Sequence, residues 1–209
     1  MIKVDIRDNG ILQKIFKNKD LVSIEEIIEK LEIMNNNISR LEDFLQDMNT
    51  IQKIEQLEPK YQEINIESLV NELKENTKSL CMPKNINVFF YNEVKSKIVI
   101  LDSSMIHEVY NNIINNAIRY TKNKITINIT EIDKKIIFKI QDNGEGFNKK
   151  ALKEATHLYY KDTKEKSHFG LGLYISKLLC EKHNGEIKIF NNKEGATVEF
   201  SFLYKNIKN

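Results

Sequence analysis

From Ile24 onward, apolar side chains recur at Ile24, Ile27, Leu31, Met34, Ile38, Leu41, Leu45 and Met48, in steps that alternate between three and four. That is a heptad seam, and so narrow a stripe calls for a partner helix. Ser23-Ile24-Glu25-Glu26 opens it as a capping box. The pattern slips after Met48, where Ile51, Ile54 and Leu57 follow at threes, and Pro59 ends the helix. Ahead of it, Ile11, Leu12, Ile15 and Phe16 predict the end of another helix, with Gly10 weakening its middle. Lys17 to Val22 then forms the turn of an antiparallel hairpin. Taken alone, residues 1–58 describe a coiled-coil stalk without chemistry.

The remainder alternates. Ile64 to Ile66 reads as a short strand and Glu67 to Leu80 as a helix. Asn85 to Tyr91 and Lys97 to Leu101 read as strands. Asp102 caps a helix that runs to Tyr120. Lys124 to Ile132 and Lys135 to Gln141 form a hairpin around Asp133-Lys134. Leu171 to His183 is a helix ended by Asn184-Gly185. Glu186 to Phe190 and Ala196 to Leu203 are closing strands joined at Gly195. Helices interspersed among mostly antiparallel strands predict an α+β fold, a two-layer α/β sandwich. The stretch from Phe147 to Phe169 has little regular pattern, as a functional lid or a disordered segment would.

Bulk properties exclude several function classes. In 209 residues, 32 basic side chains nearly balance 30 acidic ones, for a net charge of +2, so neither nucleic acid nor a polybasic membrane contact is expected. No uncharged apolar run approaches the ~18 residues of a membrane span, and charges from Lys3 onward break any signal-peptide pattern. Cys81 and Cys180 are far apart and read as reduced cytosolic thiols.

Three motifs carry candidate chemistry. In the helix after Asp102, Asn112, Asn116, Arg119 and Tyr120 share one face while Ile106, Tyr110, Ile113 and Ala117 share another. An amide oxygen is a neutral hard ligand that suits Mg²⁺, which takes its remaining ligands from phosphates and water. Arg119 can reach a phosphate and Tyr120 can stack on a base. Asp142-Asn143-Gly144-Glu145-Gly146 follows an apolar strand. Its carboxylate can accept an exocyclic amine, and Gly144 and Gly146 let the backbone approach a ligand. Gly170-Leu171-Gly172-Leu173 opens a helix whose free N–H groups favour phosphate oxygens. Each motif alone also describes something ordinary: a polar helix face, a turn or a hinge.

In this order the three resemble the catalytic ATP-binding domain of sensor histidine kinases, within the wider family shared with DNA gyrase, the large heat-shock chaperones and MutL. Val109-Tyr110-Asn111-Asn112-Ile113-Ile114-Asn115-Asn116-Ala117 is similar to the N box, with Arg119-Tyr120-Thr121 as its tail. Asp142 to Gly146 resembles the G1 box, Gly170 to Leu173 the G2 box, and Gly195-Ala196-Thr197 the family's ending. The resemblance spans roughly residues 62–205. It implies the Bergerat (GHKL) ATP-binding fold, with ATP and Mg²⁺ as cofactors. Asp142 would read adenine, Tyr120 stack on it, Asn116 with Asn112 hold Mg²⁺, and Arg119 contact phosphate. Gly144, Gly146, Gly170, Leu171, Gly172 and Leu173 would shape the pocket and its lid, and Thr197 would reach adenine through water. ATP-hydrolysing relatives place a general-base Glu at the position of Asn112. An amide cannot take a proton from water as a carboxylate does, which favours phosphoryl transfer over hydrolysis.

Residues 1–58 resemble the dimerisation and phosphotransfer hairpin, so the resemblance implies a homodimer built as a four-helix bundle. A response-regulator receiver domain would be the downstream partner, and the location would be cytoplasmic, as part of a membrane-bound sensor. Two departures stand out. The family's F box has Leu158-Tyr159-Tyr160 as its nearest counterpart. The hairpin contains no histidine: His107, His157, His168 and His183 all fall in the ATP domain and are expected to be structural or solvated. Counting back from Asp20–Val22 by the family's spacing reaches the first residues of the chain, so the acceptor is expected at or just before its start. Two other functions share this sequence: a non-catalytic ATP-binding dimerisation module that regulates a partner, and an anti-sigma-type serine kinase, which the long stalk helix disfavours.

Overall fold

The computed structural model describes residues 24–157 and 171–205, and the chain divides into two compact units, residues 1–43 and 44–209. Ser23, the first hairpin helix, its turn, Leu158-Tyr159-Tyr160, His168 and Gly170 lie outside the described residues. In the first unit the described residues belong to helix α1 (Ile24–Gln56), where Ile24, Ile27, Leu31, Met34, Ile38 and Leu41 are all exposed.

The second unit shows why the heptad slips. Within it, Ile51 and Ile54 on the last turns of α1 are buried in the core, and Met48 and Leu57 pack against it. Lys182 Nζ caps the end of the helix, donating to the Glu55 carbonyl at 2.8 Å. The three-residue steps after Met48 therefore serve this core rather than a coiled-coil seam. The helix stops at Gln56, three residues before Pro59.

A mixed sheet in the order β2-β4-β5-β7-β6 forms one layer: β2 (Asn87–Asn92), β4 (Lys124–Ile132), β5 (Lys135–Asp142), β7 (Ala196–Leu203) and β6 (Ile187–Asn191). Its pairings are antiparallel except β2 with β4, which is parallel. A small antiparallel pair joins β1 (Gln62–Asn65) to β3 (Ile98–Leu101). Helices α2 (Ile66–Cys81), α3 (Ser103–Tyr120) and α5 (Gly172–Lys182) form the second layer, and a single turn, α4 (Ala151–Glu154), lies beyond β5. This is the expected two-layer sandwich. No helix among the described residues is long and apolar enough to cross a membrane.

Local chemistry sets the boundaries. Asn65 Oδ1 accepts from Ser68 N at 3.0 Å, so α2 begins at Ile66, a residue expected to end the strand. Asp102 caps α3 as expected, accepting from Ser104 N at 2.9 Å and Met105 N at 3.3 Å. Asp133 and Lys134 both have positive φ, 50° and 62°, the two-residue hairpin turn whose twist suits the strands it joins. In the core, Phe138 stacks on Phe200 at 4.9 Å between ring centroids, with Phe202 and Tyr110 edge-on. The Thr77 hydroxyl donates to the Leu73 carbonyl, which leaves the buried Tyr110 hydroxyl to donate to Thr77 Oγ1 at 2.7 Å. That bond ties α2 to α3 at a position where an unpaired phenol would be costly.

Candidate functional site

The carboxylate end of the site starts from strand alternation. Ile136, Phe138, Ile140 and Asp142 share the helix-facing side of β5, so the last position of an apolar row carries a carboxylate. Asp142 Oδ1 accepts from Gly144 N at 2.8 Å and from Ala196 N at 3.3 Å. Burial raises its pKa above the ordinary aspartate value, and those two bonds offset only part of the rise. The turn that follows has no room for side chains. A Cβ on Gly144 would stand 2.2 Å from the Tyr120 carbonyl oxygen, and one on Gly195 would stand 2.5 Å from the Asp142 carbonyl. Gly146 has φ +79°, and Asn191 grips the next residue from both sides. Asn191 Oδ1 accepts from Phe147 N and its Nδ2 donates to the Phe147 carbonyl, each at 2.8 Å.

Two of these supports were not expected from sequence. Asn191 is one. The other is Asn143, whose Oδ1 accepts from the backbone N–H groups of Lys122, Asn123 and Lys124, each at 3.1 Å. It locks the segment leaving α3 to the turn after β5. Its signal lay inside the DNGEG motif, where an Asn is read first as a turn former.

Thr197 requires a correction. It stands directly opposite Gln141, on the sheet face away from the Asp142 carboxylate. Its hydroxyl accepts from Asn192 Nδ2 at 3.1 Å and faces Gln141 Nε2 at 3.5 Å. A strand alternates at every residue, so a shift of one position exchanges faces. Ala196, through its N–H, is the residue that meets Asp142. A cavity of about 320 Å³ opens among Lys124, Thr126, Gln141, Asp142, Asn192, Lys193 and Glu194, so Asp142 borders it, while no residue of α3 lines it.

The amide end is built by α3 and the start of α5. Ile106, Tyr110, Ile113 and Ala117 are buried, which turns Asn112 and Asn116 to the half-buried flank of α3. Asn112 Nδ2 donates to the Gly172 carbonyl at 3.4 Å, and a Cβ on Gly172 would lie 3.2 Å from Asn112 Oδ1. The asparagine-bearing helix and the glycine-bearing start of α5 therefore meet at Asn112 and Gly172. Leu171 and Leu173 send their side chains into or against the core, so their contribution to this end is the N–H-rich helix start. Arg119 and Tyr120 are exposed at the end of α3, with the guanidinium carbon 6.0 Å from the phenol ring centroid. No cluster of three or more His, Cys, Asp or Glu able to hold a metal exists among the described residues. Two amides four residues apart on one helix flank fit a hard cation that takes its negative ligands from phosphates.

The segment expected to be irregular contains α4, whose start is capped by Asn148 Oδ1 accepting from Lys150 N at 2.9 Å and Ala151 N at 2.8 Å. Of the lysines in this segment, Lys150 lies 3.9 Å from Glu154 and Lys153 is exposed, while Lys161, Lys164 and Lys166 lie outside the described residues. His157 is exposed, and His107 bonds the Ser103 carbonyl through Nδ1 at 2.7 Å. His183, at the end of α5, is not the cation its helix terminus would favour. It is fully buried, and burial lowers its pKa.

Comparison with known proteins accords with this geometry. Residues 101–206 match the family described as histidine kinase-, DNA gyrase B-, and HSP90-like ATPase. Sensor histidine kinase SpaK of Bacillus subtilis is 37% identical over 118 residues, covering 54% of this chain and 26% of that protein. Sensor protein SrrB of Staphylococcus aureus (strain MRSA252) is 28% identical over 173 residues, covering 79% of this chain and 30% of that protein. The chain thus spans less than a third of the length of these relatives. Among solved structures, full-length ShkA in complex with AMPPNP aligns with a TM-score of 0.67 at 16% identity, over 92% of this chain and 41% of that one. Acinetobacter baumannii histidine kinase AdeS aligns at 0.61 and 21% identity, over 95% of this chain and 93% of that one. The catalytic domain of histidine kinase ThkA aligns at 0.59 and 22% identity, over 69% of this chain and 95% of that one.

Proposed function

The chain belongs to the family of histidine kinase-, DNA gyrase B- and HSP90-like ATPases, and from that premise we propose that residues 62–205 are the catalytic ATP-binding domain of a sensor histidine kinase. The observation that carries the proposal is the pairing of two unlike ends across one helix layer. A buried strand-end carboxylate at Asp142 stands beyond the end of α3, and the Asn112 amide meets the start of α5, with Asn116 one turn further along the same helix flank.

Asp142 accepts the exocyclic amine of adenine, and the backbone of Gly144 and Gly146 lets the base come close. Tyr120 stacks on the base and Arg119 meets a phosphate. The helix start at Gly172, with Gly170 before it, offers N–H groups to phosphate oxygens. Asn112 and Asn116 would hold Mg²⁺ through their amide oxygens, and the chemistry it would supply there is neutralisation of phosphate charge. The protein's own task is to hold the γ-phosphoryl group in line with an incoming imidazole nitrogen, which is catalysis by positioning and electrostatics. Asn112 offers no base to activate water, so the phosphoryl group passes to histidine and then to an aspartate of a response regulator. The exposed seam of residues 24–45 pairs two chains as the dimerisation unit of a cytoplasmic kinase portion, and the expected boundary at residue 58 moves back because Ile51 and Ile54 belong to the second unit's core.

Residues 1–58 contain no histidine, and this one fact favours a second reading, an ATP-binding module that regulates a partner without transferring phosphate. Incubation with γ-labelled ATP and a separate histidine-bearing hairpin separates the two. Label on the hairpin supports the kinase. Nucleotide binding without label supports the regulatory module.

A further inference from the structure

Helices α3 and α5 lie antiparallel and are pinned to each other at two places. Near the site, Asn112 Nδ2 donates to the Gly172 carbonyl at 3.4 Å; at the far end, the backbone N–H of Asp102 donates to His183 Nε2 at 3.0 Å. We propose that His183 is a positioning residue for the nucleotide site. It fixes α3 against α5, and so sets where the Asn112 and Asn116 amides stand relative to the Gly172 helix start. The inference rests on reading that site as a Mg·ATP pocket.

The imidazole is held from several sides. The His183 N–H bonds the Cys180 carbonyl at 3.0 Å, and its own carbonyl accepts from Leu203 N on β7 at 3.2 Å. Tyr61 and Phe202 contact the ring edge-on, at 5.1 and 5.4 Å between centroids. Because Nε2 accepts a hydrogen bond, the neutral ring carries its proton on Nδ1. That nitrogen is buried and has no partner among the described residues. An apolar ring would fill the same space without stranding a polar atom. Histidine in this place therefore has its physical reason in the bond to Asp102.

Asp102 is the residue through which such a bond would govern α3. Its Oδ1 caps the helix, and its Oδ2 accepts from Lys60 N at 2.7 Å, tying in the segment that leaves α1. From Asp102 to Asn112 the helix rises about 15 Å as one stiff body. A displaced cap is carried to the amides, where a shift of about 1 Å can cost on the order of 100-fold.

The test uses the full chain, AMPPNP with Mg²⁺ as the probe, and two substitutions. His183→Phe keeps a ring but no acceptor, whereas His183→Gln can return an oxygen to the place of Nε2. At a temperature where all variants are folded by circular dichroism, His183→Phe is expected to weaken binding about ten-fold and His183→Gln no more than about three-fold. Combined with Asn112→Ala, the His183→Phe loss should be less than additive, because the group it positions is gone. A lower melting temperature with unchanged affinity would overturn the proposal. If the unaltered chain binds no AMPPNP, the reading of the site fails. The strut is then judged by NMR, where His183→Phe must shift the Asn112 side-chain amide and Gly172 resonances, and unmoved resonances refute it. If His183→Phe does not fold, hydrogen exchange in the unaltered chain decides. AMPPNP binding must slow exchange of the Asp102 amide, since coupling between sites is reciprocal, and an unchanged rate refutes the strut.

Discussion

The two ends of the site are built by different means. The Asp142 end is made of backbone: a carboxylate anchored by two N–H groups, and glycines whose added Cβ atoms would collide with carbonyl oxygens at 2.2 and 2.5 Å. The Asn112 end is made of side chains on a helix flank, with one long bond of 3.4 Å joining α3 to α5. The first end is rigid by close packing, which leaves little freedom to adapt. The second depends on how two helices are held, and so can be tuned from a distance. On the proposed reading, a site divided this way separates recognition of the base from placement of the phosphates.

The largest effect is expected from breaking the rigid end. Asp142→Asn keeps an oxygen for Gly144 N and Ala196 N but cannot serve adenine as a carboxylate does, so calorimetry should show AMPPNP affinity falling at least about 100-fold. The same change should raise the melting temperature without nucleotide at pH 7. The folded pKa of Asp142 lies above the ordinary aspartate value. Its charged form therefore costs stability at any pH above the folded pKa, and the cost vanishes as pH falls below the ordinary value. A variant that loses affinity and melts lower would break the contrast between the ends.

The side-chain end should respond less. Asn116→Asp adds a charge beside the proposed metal position and is expected to change Mg²⁺-dependent AMPPNP affinity by about ten-fold, measured with and without Mg²⁺. Equal affinity to the unaltered chain would remove Asn116 from the site. In the stalk, Ile38→Lys should convert dimer to monomer in sedimentation while AMPPNP affinity stays within about two-fold. The smallest effect belongs to the end of β4 next to the Asp133-Lys134 turn. The Glu131 carboxyl is held at about 2, first by hydrogen bonds from Ser96 and Tyr204 and then by backbone N–H groups. Its contribution to stability is present above the ordinary glutamate value of 4.5 and is lost as pH falls toward about 2. Glu131→Gln should flatten acid unfolding in that window and leave nucleotide binding unchanged.

Sequence revealed the elements and motifs because each is a local pattern. Strand alternation, the Asp102 cap, the Asp133-Lys134 turn and the heptad are all read within a few residues. It did not reveal what depends on pairing across the fold. The family resemblance puts Thr197 at the site, but β5–β7 register gives that place to the Ala196 backbone. Asn143 and Asn191 look like turn residues until their partners across the fold are known. The slip after Met48 was visible as a change of period, while its cause, the second unit's own core, was not. The His183–Asp102 bond joins residues 81 positions apart, a distance that no local pattern reports.

The most direct test of the central claim is calorimetric titration of the full chain with AMPPNP and Mg²⁺, run beside Asp142→Asn. One saturable site per chain is expected in the first and its loss in the second. Absence of binding in the unaltered chain, or equal affinity in the two, would contradict it.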